Sequence, residues 1–347
     1  MEIRKIRVLV VDDSLLFRET LARQLGLDPR IEVIGTAVDA FDAMEKIKRL
    51  NPDVVSLDVE MPKMDGIAFL KKLMPQHPVK VVVVTSLPIN AFEAMDAGAV
   101  DFVRKPGTTP GLNDMGAFIR ELISKIKVAS IASVKNVSRP NLAPLGLLPK
   151  IKANVDRSLV IALGASTGGT EAILSVIKDL PVTTPGIVIV QHMPPVFTKM
   201  YAERLDKICH MEVKEAENGD RVQAGRIIIG AGGFHLTLQK DVKGYYVKSA
   251  AGEKVSGHCP SVDVLFDSVS KIAQGNKTMG IIMTGMGSDG AKGLLSMRKK
   301  GAYTVGQDKE TCVVYGMPMV AFNIGSVEKQ YALNDIPASI INWVNKR

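Results

Sequence analysis

The first third of the chain alternates short apolar runs with stretches in which apolar residues recur every three or four positions. The apolar runs are rich in β-branched residues and predict five strands, at residues 6–11, 31–37, 54–57, 79–84 and 100–103. Between them, apolar sets such as Phe17, Leu21 and Leu25 have the spacing of an amphipathic helix. Alternating strands and helices predict a parallel, doubly wound α/β domain of the flavodoxin-like order 2-1-3-4-5, with its functional crevice at the carboxyl ends of the strands.

A second series of strands and helices begins near Leu159. Its predicted strands lie at residues 159–163, 187–190 and 280–284 and near residue 303, and a β-rich stretch covers residues 211–249. Its predicted helices start near residues 170, 197, 261, 291, 318 and 336. This pattern predicts a second doubly wound parallel-sheet domain, Rossmann-like, with an added β-hairpin region.

Residues 128–153 separate the two series and differ from both in composition. They contain three prolines, four basic residues and no acidic residue, which is typical of an interdomain linker. We therefore expect a first domain at residues 1–127, a linker at 128–153 and a second domain at 154–347. Two domains also suit a chain of 347 residues.

Composition excludes several classes of protein. The chain has 46% hydrophobic and 23% charged residues, and no apolar run approaches the roughly 20 residues that span a bilayer. The first residues lack the apolar segment and cleavage site of a signal peptide, so we expect a soluble, cytoplasmic protein without membrane insertion. The three cysteines are far apart and odd in number, which argues against a disulfide framework or a thiolate zinc site.

The net charge of +8 is unevenly distributed along the chain. Residues 1–127 hold 18 basic and 18 acidic residues, residues 128–153 hold 4 and 0, and residues 154–347 hold 22 and 18. Because no block of like charges occurs and aromatic residues are only 5%, the pattern does not indicate a nucleic-acid binder. The excess fits either a mildly acidic macromolecular partner or a surface that favours solubility.

Polar side chains follow four predicted strands of the first domain. Asp12 and Asp13 come after the first strand and Asp58 after the third, while Thr85 ends the fourth and Lys105 follows the fifth. Three carboxylates this close stay ionised together only around a cation, and an all-oxygen site with few protein ligands suits Mg²⁺. With a lysine and a hydroxyl beside them, they predict a phosphoryl-transfer site in which Asp58 becomes an aspartyl phosphate.

These segments resemble the response-regulator receiver domain over residues 4–127. The resemblance rests on Val-Asp-Asp-Ser at 11–14, Leu-Asp-Val-Glu-Met-Pro-Lys-Met-Asp-Gly at 57–66, Val-Thr-Ser at 84–86 and Lys-Pro at 105–106. It implies that Asp58 is the phosphoacceptor and that the three carboxylates hold Mg²⁺ together with the backbone carbonyl of Glu60. It also implies that Lys105 contacts the phosphoryl group and that Thr85 is the switch residue.

The second domain carries three polar residues at predicted strand ends. Residues 164–168 fit the G-x-S-x-G pattern between a strand and a helix, where a tight turn exposes Ser166 and the helix N-terminus offers amides for an oxyanion. His192 follows the next strand, and Asp289 follows the strand at 280–284. Because these strand ends are expected to meet at one edge of the sheet, the three residues are predicted to act as nucleophile, general base and orienting acid. Their order along the chain differs from that of α/β-hydrolases, so the triad would be an independent one.

Residues 285–290 allow a second interpretation. Gly-Met-Gly-Ser-Asp-Gly fits G-x-G-x-x-G between a strand and a helix, and Asp308 lies near the spacing of a ribose-binding acid. The alternative is therefore a non-enzymatic regulator whose second domain binds a dinucleotide. Against it, Asp289 would place a carboxylate beside the pyrophosphate, and dinucleotide-binding folds usually open with this motif.

Four segments of the second domain resemble the chemotaxis protein-glutamate methylesterase family. They are Gly-Ala-Ser-Thr-Gly-Gly-Thr-Glu-Ala at 164–172, Gln-His-Met-Pro at 191–194, Pro-Ser-Val-Asp-Val-Leu-Phe at 260–266 and Met-Thr-Gly-Met-Gly-Ser-Asp-Gly-Ala at 283–291. The resemblance implies hydrolysis of glutamyl γ-methyl esters on the cytoplasmic helices of chemoreceptors, and deamidation of glutamines by the same chemistry. It implies Ser166, His192 and Asp289 as the triad, with Thr167 and Met286 supporting the oxyanion.

The two resemblances together imply partners and control. The expected partners are the cytoplasmic domain of a methyl-accepting chemotaxis protein and a chemotaxis histidine kinase, with the chain itself a monomer. The receiver would act as a phosphorylation-controlled cover of the catalytic face. Mg²⁺ would be needed in the receiver, and no cofactor in the catalytic domain.

Overall fold

A computed structural model describes residues 4–107, 112–133, 149–151, 156 and 158–347. The chain divides into two compact units, Met1–Arg139 and Pro140–Arg347. Most of the predicted linker, residues 134–148 and 152–153, lies outside the described residues, so the predicted boundaries at residues 127 and 154 stay predictions. The last helix before this segment continues to Ser130. Among the described residues, no helix combines the length and the apolar content needed to cross a bilayer.

The first unit has a five-stranded sheet with helices between the strands. Its strands are β1 (Ile6–Val11), β2 (Ile31–Ala37), β3 (Val54–Asp58), β4 (Lys80–Thr85) and β5 (Asp101–Arg104). Its helices are α1 (Leu15–Gly26), α2 (Ala40–Leu50), α3 (Gly66–Gln76), α4 (Pro88–Asp96) and α5 (Leu112–Ser130). All strand pairs are parallel, in the order β2-β1-β3-β4-β5, which confirms the predicted flavodoxin-like fold.

Local chemistry explains where the helices of the first unit begin. Ser14, Asp39 and Asp65 each accept a hydrogen bond from an amide in the first turn of the helix that follows, which satisfies donors that the helix itself leaves unpaired. Strand β3 is buried along its whole length, and β4 is buried after its first residue, because helices cover both faces of a parallel sheet. Their last residues, Asp58 and Thr85, are therefore buried polar groups.

The second unit has a seven-stranded parallel sheet and a separate hairpin. The sheet strands are β6 (Val160–Ala165), β7 (Gly186–Gln191), β8 (Glu212–Glu215), β9 (Arg226–Ile229), β12 (Thr278–Ile282), β13 (Tyr303–Gln307) and β14 (Lys329–Tyr331). The hairpin strands, β10 (Phe234–Asp241) and β11 (Gly244–Ala251), pair antiparallel. The sheet order is β14-β13-β12-β6-β7-β9-β8, so a second doubly wound sheet with an added hairpin is confirmed.

Helices of the second unit connect the strands and cover the sheet. They are α6 (Gly169–Ile177), α7 (Phe197–Asp206), α8 (Val262–Ile272), α9 (Ala291–Lys299), α10 (Met317–Asn323) and α11 (Ile336–Val344). The hairpin joins the same core, because Leu236 and Leu238 of β10 belong to one buried cluster with Leu265 and Phe266 of α8. Since β6 lies between β12 and β7, the carboxyl ends of these three strands are neighbours. Along the chain, these strands are followed by the three predicted hydrolase residues, Ser166, His192 and Asp289.

Candidate functional site

The three carboxylates of the first unit come together as predicted from the strand ends. Asp12 follows β1 and Asp58 ends β3, and both are 1% exposed, whereas Asp13 is exposed. One oxygen from each of the three lies within 4.8 Å of the others. This separation and the all-oxygen donor set fit a hard cation that keeps several of its waters, such as Mg²⁺.

Lys105, which follows β5, reaches the same carboxylates. Its Nζ lies 3.0 Å from Oδ2 of Asp12 and 2.7 Å from Oδ2 of Asp58. Burial and then the charge of Asp58 raise the pKa of Asp12 to about 6, since two nearby buried carboxylates disfavour joint ionisation. Burial also lowers the pKa of Lys105, but its hydrogen bonds and charge interactions with the two carboxylates outweigh this and raise it above its ordinary value. The site is therefore short of positive charge, which a divalent cation would supply.

Thr85 is fully buried at the end of β4 and faces the loop after β3. Its hydroxyl donates to Oε1 of Glu60 at 3.3 Å, and the same carboxylate accepts from the amide and the hydroxyl of Ser86. The sequence pattern did not reveal this side-chain role of Glu60, because it joins residues 25 positions apart. The metal-binding role of the Glu60 carbonyl stays a prediction.

Ser166 lies on a tight turn between β6 and α6. Its amide donates to the carbonyl of Thr284 at 2.9 Å, and its carbonyl accepts from Nε2 of Gln191 at 2.9 Å, so the turn is anchored to the ends of β12 and β7. Two glycines make this approach possible: Gly168 has a φ of +77°, and a Cβ on Gly285 would lie 2.7 Å from Cβ of Ser166. A side chain at either position would displace the turn.

His192 and Asp289 form a direct hydrogen bond. Nε2 of His192 lies 2.7 Å from Oδ2 of Asp289, with the two side chains only 6% and 1% exposed. Because the amide of His192 also donates to the carbonyl of Ala165 at 3.2 Å, the histidine backbone lies directly beside the serine turn. Nδ1 of His192 is buried and has no hydrogen-bond partner among the described residues. The hydroxyl of Ser166 is thus close in the fold but not hydrogen-bonded to the imidazole.

Asp289 is held by the N-terminus of α8 as well as by His192. Its Oδ1 accepts from Ser261 Oγ at 2.7 Å and from the amide of Asp263 at 2.9 Å, and its Oδ2 accepts from the amide of Val262 at 2.8 Å. Burial raises the pKa of Asp289, but the hydrogen bonds from His192, Asp263 and Ser261 together hold it below the ordinary value. Asp289 is therefore an ionised carboxylate that only accepts hydrogen bonds.

Thr167 and Met286 flank this arrangement. Thr167 directly follows Ser166, and its carbonyl accepts from the hydroxyl of Thr284 at 2.9 Å. Met286 follows Gly285 in the loop after β12, and its Cα would lie 3.0 Å from a Cβ on Gly316. Both residues lie next to the serine turn, and their support of an oxyanion stays a prediction.

One further side chain joins the site. The imidazole of His258 stacks on that of His192 with 3.6 Å between ring centroids and 5° between ring planes. Neither His258 nor Ser261 was among the residues predicted to act. Ser261 carried a signal, a serine directly before the apolar run that becomes α8, whereas nothing in the local pattern of His258 pointed to the site.

Comparison with known proteins gives consistent matches for both units. Residues 8–115 match the family model "Response regulator receiver domain" and residues 161–340 match "CheB methylesterase". A protein-glutamate methylesterase/protein-glutamine glutaminase 2 of Syntrophomonas wolfei is 53% identical over 100% of both chains. A relative of the same enzyme name from Syntrophotalea carbinolica is 48% identical over 99% of each.

A solved structure supports the fold of the second unit. The crystal structure of the Thermotoga maritima CheB methylesterase catalytic domain matches with a TM-score of 0.52 and 37% identity, covering 54% of this chain and 99% of that one. These matches do not support the dinucleotide interpretation of residues 285–290. The geometry explains why the motif misleads: its carboxylate, Asp289, is ionised and already engaged by three donors from Ser261, Val262 and Asp263.

Proposed function

The chain belongs to the CheB methylesterase family, and we propose that it hydrolyses glutamyl γ-methyl esters on the cytoplasmic helices of chemoreceptors. The observation that carries this proposal is the 2.7 Å bond from Nε2 of His192 to Asp289, beside the turn that presents Ser166. The receiver domain in the same chain and the names of the relatives agree with a role in chemotactic adaptation. Substrate and kinase would both meet the protein in the cytoplasm.

In the proposed mechanism, His192 acts as the base through Nδ1. Because ionised Asp289 only accepts, Nε2 of His192 carries the hydrogen of their bond, and the neutral ring keeps its lone pair on Nδ1. Nδ1 takes the proton of Ser166 as Oγ attacks the ester carbonyl carbon. Backbone donors at Thr167 and Met286 stabilise the oxyanion.

The remaining steps return every group to its starting state. The protonated imidazole gives its proton to the departing methoxide, which leaves as methanol, and an acyl group stays on Ser166. Water then attacks this acyl group, with His192 again taking a proton, and glutamate is released as the serine hydroxyl re-forms. A glutamine side chain would pass through the same steps and release ammonia, which accounts for deamidation by one site.

The receiver domain is proposed to control this reaction through phosphorylation of Asp58. Asp12, Asp13 and Asp58 would hold Mg²⁺, which when bound offsets the negative charge of the phosphoryl group. Lys105 already contacts the carboxylate of Asp58 and would contact the phosphoryl oxygens as well. The buried hydroxyl of Thr85 would exchange its bond to Glu60 for one to the phosphoryl group, changing the adjacent loop.

Methanol release from a methylated chemoreceptor fragment tests the proposed activity. Ser166→Ala and His192→Gln are expected to lower kcat by about 10³-fold or more while circular dichroism stays unchanged, because triad residues act as a unit. Asp289→Asn is expected to lose somewhat less. Matched controls are Ser296→Ala at a half-buried position and His210→Gln at an exposed position of the same unit, and these should keep normal rates. Near-normal turnover by the Ser166 variant would contradict the covalent mechanism.

A further inference from the structure

His258 covers one face of the imidazole that the proposed mechanism uses as its base. Its ring is parallel to that of His192 within 5° at a centroid distance of 3.6 Å, the separation of aromatic planes in van der Waals contact. The two rings therefore lie face to face, and each blocks access to one side of the other. The contact helps explain why the side chain of His192 is only 6% exposed although His258 belongs to an exposed loop.

A tight turn holds His258 in this position. Val255 and His258 exchange two backbone hydrogen bonds of 3.0 Å, and the two residues between them, Ser256 and Gly257, have φ values of +53° and +84°. Two consecutive positive φ values across a two-residue turn are typical of a type I′ hairpin. Nδ1 of His258 also lies 2.9 Å from the carbonyl of Ser256, so the turn fixes the rotation of the ring as well as its place.

The turn is in addition attached to the helix that holds the catalytic carboxylate. Ser256 Oγ donates to Oδ2 of Asp263 at 3.2 Å, and the amide of Asp263 donates to Asp289. His258 and Asp289 therefore contact His192 from supports that are linked to each other. His258 contacts the face of the His192 ring, and Asp289 contacts its edge at Nε2.

A single hydrogen bond at Nε2 leaves the imidazole of His192 able to tilt about that bond, which would move Nδ1 relative to Ser166. We propose that His258 is a positioning residue that prevents this tilt by stacking, so that Nδ1 stays in line for proton transfer. The inference rests on the proposed esterase function. It assigns to His258 a role in the rate of acylation and not in the binding of substrate.

The same geometry disfavours a shared metal ion between the two histidines. His192, His258 and Asp289 do offer donor atoms within 4.8 Å of one another. However, the lone pairs of an imidazole lie in its plane, and two nearly parallel rings with centroids 3.6 Å apart do not direct their lone pairs at one ion. The His258 ring therefore restricts the movement of the His192 ring and does not share a metal ion with it.

The test compares His258→Ala with His258→Phe in the full chain, using methanol release from a methylated receptor fragment. The alanine variant removes the stacked ring and is expected to lower kcat by about 10- to 100-fold with KM changed little. The phenylalanine variant keeps a flat ring over His192 without a titratable group and is expected to stay within about threefold of the wild type. Lys254→Ala, an exposed change in the same loop, is the matched control.

Each outcome decides between distinct explanations. A wild-type kcat in the alanine variant, or a phenylalanine variant as slow as the alanine variant, would overturn the stacking role. A loss confined to KM would assign His258 to substrate binding and would overturn it too. If the alanine variant does not fold, the folded phenylalanine variant decides by its kcat alone. A wild-type chain that releases no methanol would contradict the proposed function itself, and this inference would fall with it.

Discussion

Val196 adopts a backbone conformation that β-branched residues rarely hold. Its φ is +75° and its ψ is −43°, four residues after His192 and directly before α7. Such positions cost about 1–3 kcal/mol and cluster near functional sites. The preceding residue, Pro195, lies so close to Gly232 that its nitrogen would be 2.4 Å from a Cβ there.

Val196→Gly is expected to raise the free energy of unfolding of the second unit by about 1 kcal/mol. Relief of about 1–3 kcal/mol of strain outweighs the extra backbone entropy of glycine, about 0.5–1 kcal/mol. Urea denaturation measures the change. Val182→Gly, at a similarly exposed valine (59% against 53%) with an ordinary φ, should instead be destabilising. If Val196→Gly loses as much stability as Val182→Gly, the backbone at position 196 carries no strain.

Asp289 predicts a pH dependence of stability. The pKa of Asp289 in the folded state lies below its ordinary value, so its contribution to stability is present above that ordinary value and is lost as pH falls through the folded pKa. Between about pH 5 and pH 3 the unfolded chain binds more protons at this residue, and stability falls with pH. The wild type should therefore lose more unfolding free energy over this range than Asp289→Asn. Parallel stability curves for the two proteins would contradict the ionised, hydrogen-bonded state of Asp289.

At the scale of elements, most of both folds was predictable from residue pattern. Buried parallel strands are runs of β-branched residues, so β4 and β7 were located to within one residue at each end. Polar residues directly after such runs stand at the carboxyl edge of the sheet, which is why Asp58, Ser166 and His192 could be proposed as site residues from the sequence. Ser261 and His258 were missed as partners, because their contacts with Asp289 and His192 join segments 28 and 66 residues apart along the chain, and no local periodicity records such contacts.

The loop after β12 is packed so closely on the serine turn that one methyl group should disturb catalysis. A Cβ on Gly285 would lie 2.5 Å from the sulfur of Met317 and 2.7 Å from Cβ of Ser166. Gly285→Ala is therefore expected to move Ser166 and lower kcat by about 10²-fold, with a smaller effect on KM. Gly230→Ala is the control, since its nearest neighbour would be 3.4 Å away. Equal rates for both variants would show that the turn tolerates the shift.

At the scale of the whole molecule, the proposed control by the receiver predicts four rates of methanol release. A chain beginning at residue 154 is expected to exceed the unphosphorylated full chain, and a small phosphodonor with Mg²⁺ should raise only the full chain. Phosphorylation shifts an equilibrium only through its different interaction with the two states, so Asp58→Asn should no longer respond to phosphodonor. Equal rates for the truncated and the unphosphorylated full chain would exclude the receiver as a cover.

The proposed mechanism cleaves the ester through an acyl group on Ser166. Its most direct test is rapid acid quenching of the full chain during turnover of a peptide that contains glutamate γ-methyl ester, followed by mass spectrometry of the digested protein. We expect a mass increase equal to the peptide acyl group on the fragment that contains Ser166, together with released methanol, and neither in Ser166→Ala. Methanol release by Ser166→Ala at the wild-type rate, with no acylated fragment in either protein, would contradict the acyl intermediate.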